Sequence, residues 1–306
     1  MEEEELDAPL FITWYQCVVS VALCATFGYA AKWFPNVITF PEFKIDLTIA
    51  RQVLPLSVVF VAMMTFNNLC LKYVGVAFYY VGRSLTTVFN VALTYVILKE
   101  ITSVKSVLCC LTIIAGFLLG VDQENVTGTL SVIGVVFGVL ASLCVSLNAI
   151  YTKKVLPCVG DNIWSLTLYN NVNASICFLP LILLSGEAAV VASFSHLRSP
   201  TFWTLMTISG VFGFAMGYVT GFQIQVTSPL THNISGTAKA CAQTLLAVGY
   251  YKEVKSLLWW ISNAVVLVGS MAYTHVRRQE MKQVHQENAE KEMLTADAAR
   301  PPKVPL

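Results

Sequence analysis

Two cations and two asparagine pairs stand in stretches of sequence where polar side chains are rare. Arg83 lies in the apolar stretch 77–98 and Lys239 in 229–251, and neither stretch holds an Asp or Glu. A charge deep in a bilayer costs about 3 kcal/mol or more and marks a pathway or a binding site. With no carboxylate beside them in the hydrocarbon, the counter-ion these two call for is a bound anion. Arginine's planar fork grips phosphate bidentately, and lysine adds a compact charge. Asn170 and Asn171 follow Leu168 and Tyr169 in the stretch 164–185, and Asn67 and Asn68 follow Phe66 in 53–73. Side-chain amides carry both donors and acceptors, which is what a base edge presents in return. The chemistry these residues suggest is recognition of a phosphorylated, base-bearing anion.

Each group also has a plainer reading. Either cation can snorkel to the rim of the membrane along its alkyl stem, and paired asparagines can tie neighbouring helices together. For Asn67 and Asn68 both readings stand. Asn170 and Asn171 lean toward a ligand through their association with Lys239 and the small residues Ser235-Gly236-Thr237-Ala238 before it. Gly236 would let a ligand approach the backbone. Gly213, Gly217 and Gly221, spaced by four, form a close-packing face suited to a neighbouring helix or a second copy in a homodimer. Tyr79, Tyr80, Tyr218 and His232 could line the same hollow or serve as packing and interface aromatics. No Ser-His-Asp arrangement and no pair of in-span carboxylates is present, so no catalytic residue, cofactor or metal is expected. Eight of the nine cysteines sit in apolar runs as small hydrophobes, and none forms a Cys-x-x-Cys pair.

The elements that must hold these residues follow from composition. Of 306 residues, 56% are hydrophobic and 12% charged, about half the charge of a soluble chain. The net charge of +1 offers no basic face for nucleic acid. Nine stretches are long enough to cross a bilayer as helices: 9–32, 53–73, 77–98, 105–121, 130–151, 164–185, 202–224, 229–251 and 257–275. They do not alternate as barrel strands would. The third and eighth carry several polar residues each and are the weakest. An acidic start, 1–8, precedes them, and a polar tail, 276–306, is expected to be disordered. Thirteen Lys and Arg fall on the side of that tail against four on the other, which puts the C-terminus in the cytosol. The sequon Asn125-Val126-Thr127 then faces the lumen.

Sliding the sequence by 153 positions lays Leu98-Lys99-Glu100-Ile101-Thr102-Ser103 over Tyr251-Lys252-Glu253-Val254-Lys255-Ser256, and Gly116 over Gly269. The crossings place the two Lys-Glu turns on opposite sides, so two copies, 9–121 and 130–275, would have inverted topology, a common plan for alternating access. The first copy has four spans and the second five. A ten-helix ancestor lacking its first helix would account for the difference.

On Leu168-Tyr169-Asn170-Asn171, the Lys-Glu-x-x-Ser turns and Gly236-Thr237-Ala238-Lys239, the chain resembles the nucleotide-sugar transporters of the drug/metabolite transporter superfamily. Phe66 to Tyr73, Val81 to Asn90 and Ser228 to Asn233 resemble its GDP-fucose branch, and the likeness runs from Leu6 to about Met281. The resemblance implies an all-α, ten-helix fold and a Golgi-membrane antiporter, not an enzyme, importing GDP-fucose and returning GMP. It further implies that Tyr169, Asn170 and Asn171 hold guanine and that the Gly236 motif lies near the sugar and phosphates. Leu168 replaces a Phe of the family motif, and Lys239 falls one position before the motif's own lysine. A GDP-mannose carrier, and a non-transporting nine-helix interaction partner, remain the alternatives.

Overall fold

The computed structural model describes residues 6–33, 40–41, 45–74, 79, 82–98, 103–126, 131–226, 236, 239, 242–250 and 256–298. Among the described residues every regular element is helical, and seven helices are long and apolar enough to cross a membrane. In chain order the elements are α1 (Pro9–Trp33), α2 (Leu47–Tyr73), α3 (Leu85–Leu93, followed by a π turn over Thr94–Leu98), α4 (Val104–Val126) and α5 (Val132–Val155). A 3₁₀ turn, Leu156–Val159, leads into α6 (Ile163–Leu184). Then come the short α7 (Glu187–Ser193), α8 (Pro200–Val226), α9 (242–250) and α10 (Leu257–Ala298).

Seven of the expected spans coincide with these long helices. For 77–98 the described helix starts only at Leu85, and for 229–251 only 242–250 is continuous helix. His232, Tyr80 and both Lys-Glu turns lie outside the described residues, as does Thr127 of the sequon. Two boundaries move furthest. α2 begins six residues before the expected 53, because the Asp46 carboxylate accepts from Thr48 N at 2.7 Å and caps the helix there. The tail expected to be disordered is instead helical as far as Ala298. Its Glu, Lys, Gln, Met and Ala residues are good helix formers, so a polar composition did not require an irregular chain.

Packing sets the architecture. α2 runs along both α5 and α6, α1 lies between α6 and α8, and α4 pairs with α10. Polar side chains stitch these seams. Ser142 and Ser146 of α5 donate to the carbonyls of Gly82 and Thr86 at 3.2 and 2.8 Å. Asn173 of α6 donates to the Ala50 carbonyl of α2 at 2.8 Å. At one end of the bundle Ala174 and Phe178, both wholly buried, pack with Leu10, Val61 and Ile182 into a solid plug. There the buried carboxylate of Glu187 accepts from Leu10 N at 3.2 Å and Phe11 N at 2.8 Å. It satisfies two amides that the first turn of α1 cannot satisfy itself, and so fastens α1 to α7 across the chain.

The other end is shaped by the turn between α5 and α6. Gly160 and Asp161 take left-handed backbone, with φ of 67° and 56°, and Asp is one of the few non-glycine residues that enters this region readily. Asn162 then caps α6, its Oδ1 accepting from Trp164 N at 2.9 Å and Ser165 N at 3.2 Å. The Gln225 side chain donates to the Asp161 carbonyl and ties α8 to the same turn. α2 and α8 are each 27 residues long, and both their first residues (Leu47, Pro200) and their last (Tyr73, Val226) are 153 positions apart. Val104 and Leu257, which open α4 and α10, show the same offset.

Candidate binding cavity

Between α1, α2, α5, α6 and α8 lies a hollow of about 310 Å³, at the lower end of the roughly 300–1,000 Å³ usual for small-molecule sites. It occupies the end of the bundle where α5 finishes, α6 begins and α8 finishes, reaching Thr152, Ile163 and Ile224. The plug around Phe178 fills the opposite end. Its described lining carries no charged side chain. Hydroxyls and amides come from α1 (Thr13, Gln16, Ser20), α5 (Asn148, Thr152) and α6 (Thr167, Asn170, Asn171), while α2 supplies Phe60, Met63 and Met64. Gly213, Gly217 and Gly221 border it from α8. Gly221 sits close against Ile163, whereas a Cβ on Gly217 would meet nothing within 4 Å.

The asparagines read from the sequence divide by helical geometry, since successive residues point about 100° apart. Asn170 and Asn171 face the hollow. Tyr169 turns away: it is 4% exposed, its hydroxyl accepts from Asp46 N at 3.0 Å, and it borders a separate cavity with Cys24 and Trp164. Its position is that of a strut between α6 and the start of α2. Within the hollow the two amides differ. Asn171 donates Nδ2 to its own helix at Thr167 O, 2.8 Å away. Asn170 keeps a buried Oδ1 with no partner, and Asn148 Oδ1 across the hairpin is in the same condition. Asn148 escaped the sequence reading although an amide within Ser142–Thr152 of an apolar span is as conspicuous as Asn170; its isolation from a second Asn hid it.

Arg83 lies outside the hollow's described lining, at the head of a polar chain. It donates Nη1 to the Tyr79 hydroxyl at 3.3 Å, with its guanidinium 5.9 Å from the ring centroid. That hydroxyl donates to Asn67 Oδ1 at 2.7 Å, and Asn67 Nδ2 donates to Met63 O at 2.8 Å. The chain thus runs from Arg83 to a residue of the hollow's wall. Among the described residues no carboxylate pairs with Arg83; Lys72 and Asp7 form an ion pair at the surface, 3.0 Å apart. Lys239 and Gly236 are exposed and are not part of the described lining. Tyr218 stacks on Trp164 with ring centroids 3.7 Å apart and is not part of the hollow's described lining. The residues expected to form one site therefore separate: Asn170 and Asn171 in the hollow, Tyr169 at a second cavity, Arg83 with Tyr79 and Asn67 beside the hollow, and Lys239 with Gly236 exposed.

A helical bundle around a hollow whose described lining is uncharged and bears amides, filled at one end, has the form of a multi-pass membrane carrier. A model described as the Triose-phosphate Transporter family matches residues 4–274, and the chain belongs to that family, one of transporters and not of enzymes. Among its relatives is the GDP-fucose transporter 1 of Nematostella vectensis, 63% identical over 94% of this chain and 85% of that protein. The GDP-fucose transporter 1 of Mus musculus is 61% identical over 94% and 79% of the two chains, and the GDP-fucose transporter of Caenorhabditis elegans 65% identical over 90% and 76%. A crystal structure at 15% identity superimposes with a TM-score of 0.54 over 89% of each chain, a likeness of fold alone.

Proposed function

We propose that the chain is an antiporter that brings GDP-fucose into the Golgi lumen and returns GMP, supplying lumenal fucosylation. The observation that carries this reading is its identity of 61–65% to three GDP-fucose transporters across 90–94% of its length. A Drosophila melanogaster relative, 53% identical, is described as a Golgi protein. The amide-lined hollow is a fitting receptacle for a guanine base, with Asn170 and Asn171 reading its edge.

In this reading the chain crosses the bilayer nine times, 77–98 and 229–251 being the third and eighth crossings. Its tail is cytosolic, in accord with the excess of Lys and Arg on that side. The end of α5, the start of α6 and the end of α8, which flank the hollow, then face the cytosol, and the plug around Phe178 closes the lumenal side. The shared 153-residue offset of α2 with α8 and of α4 with α10 favours two inverted repeats rocking about the hollow. Arg83, Lys239, Gly236 and His232 serve the sugar and phosphate part of the cargo, the two cations neutralising the pyrophosphate. Asn67 orients Arg83 through Tyr79. Exchange is coupled because an empty carrier would have to move uncompensated positive charge.

The test is uptake of labelled GDP-fucose by proteoliposomes containing the purified chain. Internal GMP should accelerate uptake well beyond that of empty vesicles, and UDP-sugars should compete poorly. Uptake indifferent to internal GMP would exclude antiport. Failure to restore surface fucose in cells lacking GDP-fucose transport would favour the non-transporting alternative.

A further inference from the structure

Two acceptors in the hollow have nothing to accept. Asn148 Oδ1 on α5 and Asn170 Oδ1 on α6 are both buried and both without a hydrogen-bond partner, and both residues line the same cavity. Leaving a buried acceptor unmade carries its full desolvation cost, so two in one hollow need a reason. The asparagine that ties α6 to α2 looks different: Asn173 spends its amide nitrogen on the Ala50 carbonyl. Two neighbouring donors are committed elsewhere. Thr152 gives its hydroxyl proton to Asn148 O at 2.7 Å, and Asn171 gives its amide to Thr167 O.

The two acceptors also stand at one depth. Asn148 precedes the end of α5 at Val155 by as many residues as Asn170 follows the start of α6 at Ile163. At 1.5 Å per residue each lies about 10 Å in from the turn that joins the helices. A pair of acceptors without donors selects a ligand edge that presents two donors together. Guanine has such an edge, N1–H beside the 2-amino group. Adenine sets a ring acceptor beside its amino group, and uracil sets a carbonyl on each side of its single N–H.

We propose that Asn148 is a second base-reading residue, accepting with Asn170 the N1–H and 2-amino protons of guanine. Base specificity then belongs to the α5–α6 hairpin and not to α6 alone. This rests on the guanine-nucleotide reading above and adds to it a residue outside the Asn170-Asn171 pair.

The experiment is competition against labelled GMP uptake in proteoliposomes by GMP, IMP (no 2-amino group) and 1-methyl-GMP (no N1–H). The wild-type chain should prefer GMP over each analogue by about 10-fold, as expected when a buried acceptor loses its donor. Asn148→Ala should bring one of the two preferences to within about 2-fold of parity and leave the other, with Asn170→Ala erasing the complementary one. Retention of both preferences by Asn148→Ala overturns the proposal. If that variant cannot be purified, the wild type decides: equal competition by all three nucleotides overturns the proposal even where GDP-fucose exchange is intact. A wild-type chain that takes up no guanine nucleotide removes the transporter reading itself, and this inference with it.

Discussion

Gly116 of α4 and Gly269 of α10, 153 residues apart, make reciprocal contacts across their helix crossing. A Cβ on Gly116 would lie 2.8 Å from Val266 Cγ2 and 3.1 Å from Ser262 O, while one on Gly269 would lie 2.9 Å from Ile113 Cγ1 and 3.4 Å from Cys109 O. Val266 and Ser262 are themselves offset by 153 from Ile113 and Cys109. Exchanging the two helices reproduces the contact, as a two-fold between copies would require. Small residues here let two backbones approach where no hydrophobic effect drives them together.

Substitution at either glycine should therefore cost about the same. Gly116→Val and Gly269→Val are each expected to destabilise by about 1–3 kcal/mol, because the neighbouring backbone cannot give way. Gly217→Ala, with nothing within 4 Å of the new methyl, should shift stability by less than about 0.5 kcal/mol. Thermal denaturation in detergent measures all three, and a Gly217 variant as damaged as the other two would contradict the packing argument.

Glu187 holds the start of α1 by two amide hydrogen bonds. Glu187→Ala leaves both donors buried without an acceptor and should cost about 2 kcal/mol or more, whereas Glu187→Gln keeps one acceptor oxygen and should lose less. The melting temperatures of the three proteins give the order directly.

Asn170 and Asn173 share a helix and differ in role. Asn170→Ala should weaken GMP binding about 10-fold with little loss of stability, since its Oδ1 has no partner in the protein. Asn173→Ala breaks a buried tie to Ala50 and should lower stability by about 1–3 kcal/mol while the affinity of the folded fraction is kept. Titration calorimetry alongside thermal melting separates the two effects.

Lys239→Ala and Arg83→Ala should each slow GDP-fucose exchange at least about 10-fold, the loss expected of one charge-assisted contact to phosphate. Tyr79→Phe removes the hydroxyl that receives Arg83 and should act in the same direction more weakly. A Lys239→Ala protein exchanging at the wild-type rate would sink the electrostatic account of the pyrophosphate.

Local chemistry decided much of this molecule in advance. Apolar runs of membrane length settle the helices, because a backbone in lipid must satisfy its own hydrogen bonds, and seven expected spans match the described helices closely. The offset that lays Gly116 over Gly269 is visible in the residues alone, since a repeat leaves its period in the sequence. Tertiary structure alone decided which polar groups share a space. Asn170 and Tyr169 are adjacent in the chain yet face different cavities, because a helix turns its neighbours about 100° apart. Asn148 and Asn170 are 22 residues apart yet line one hollow, because α5 and α6 both pack on α2. Glu187 reaches Leu10 across 177 residues. Hydropathy and spacing register what a residue is and how it is placed along the chain; partnership across helices depends on rotation about each helix axis, which only packing sets.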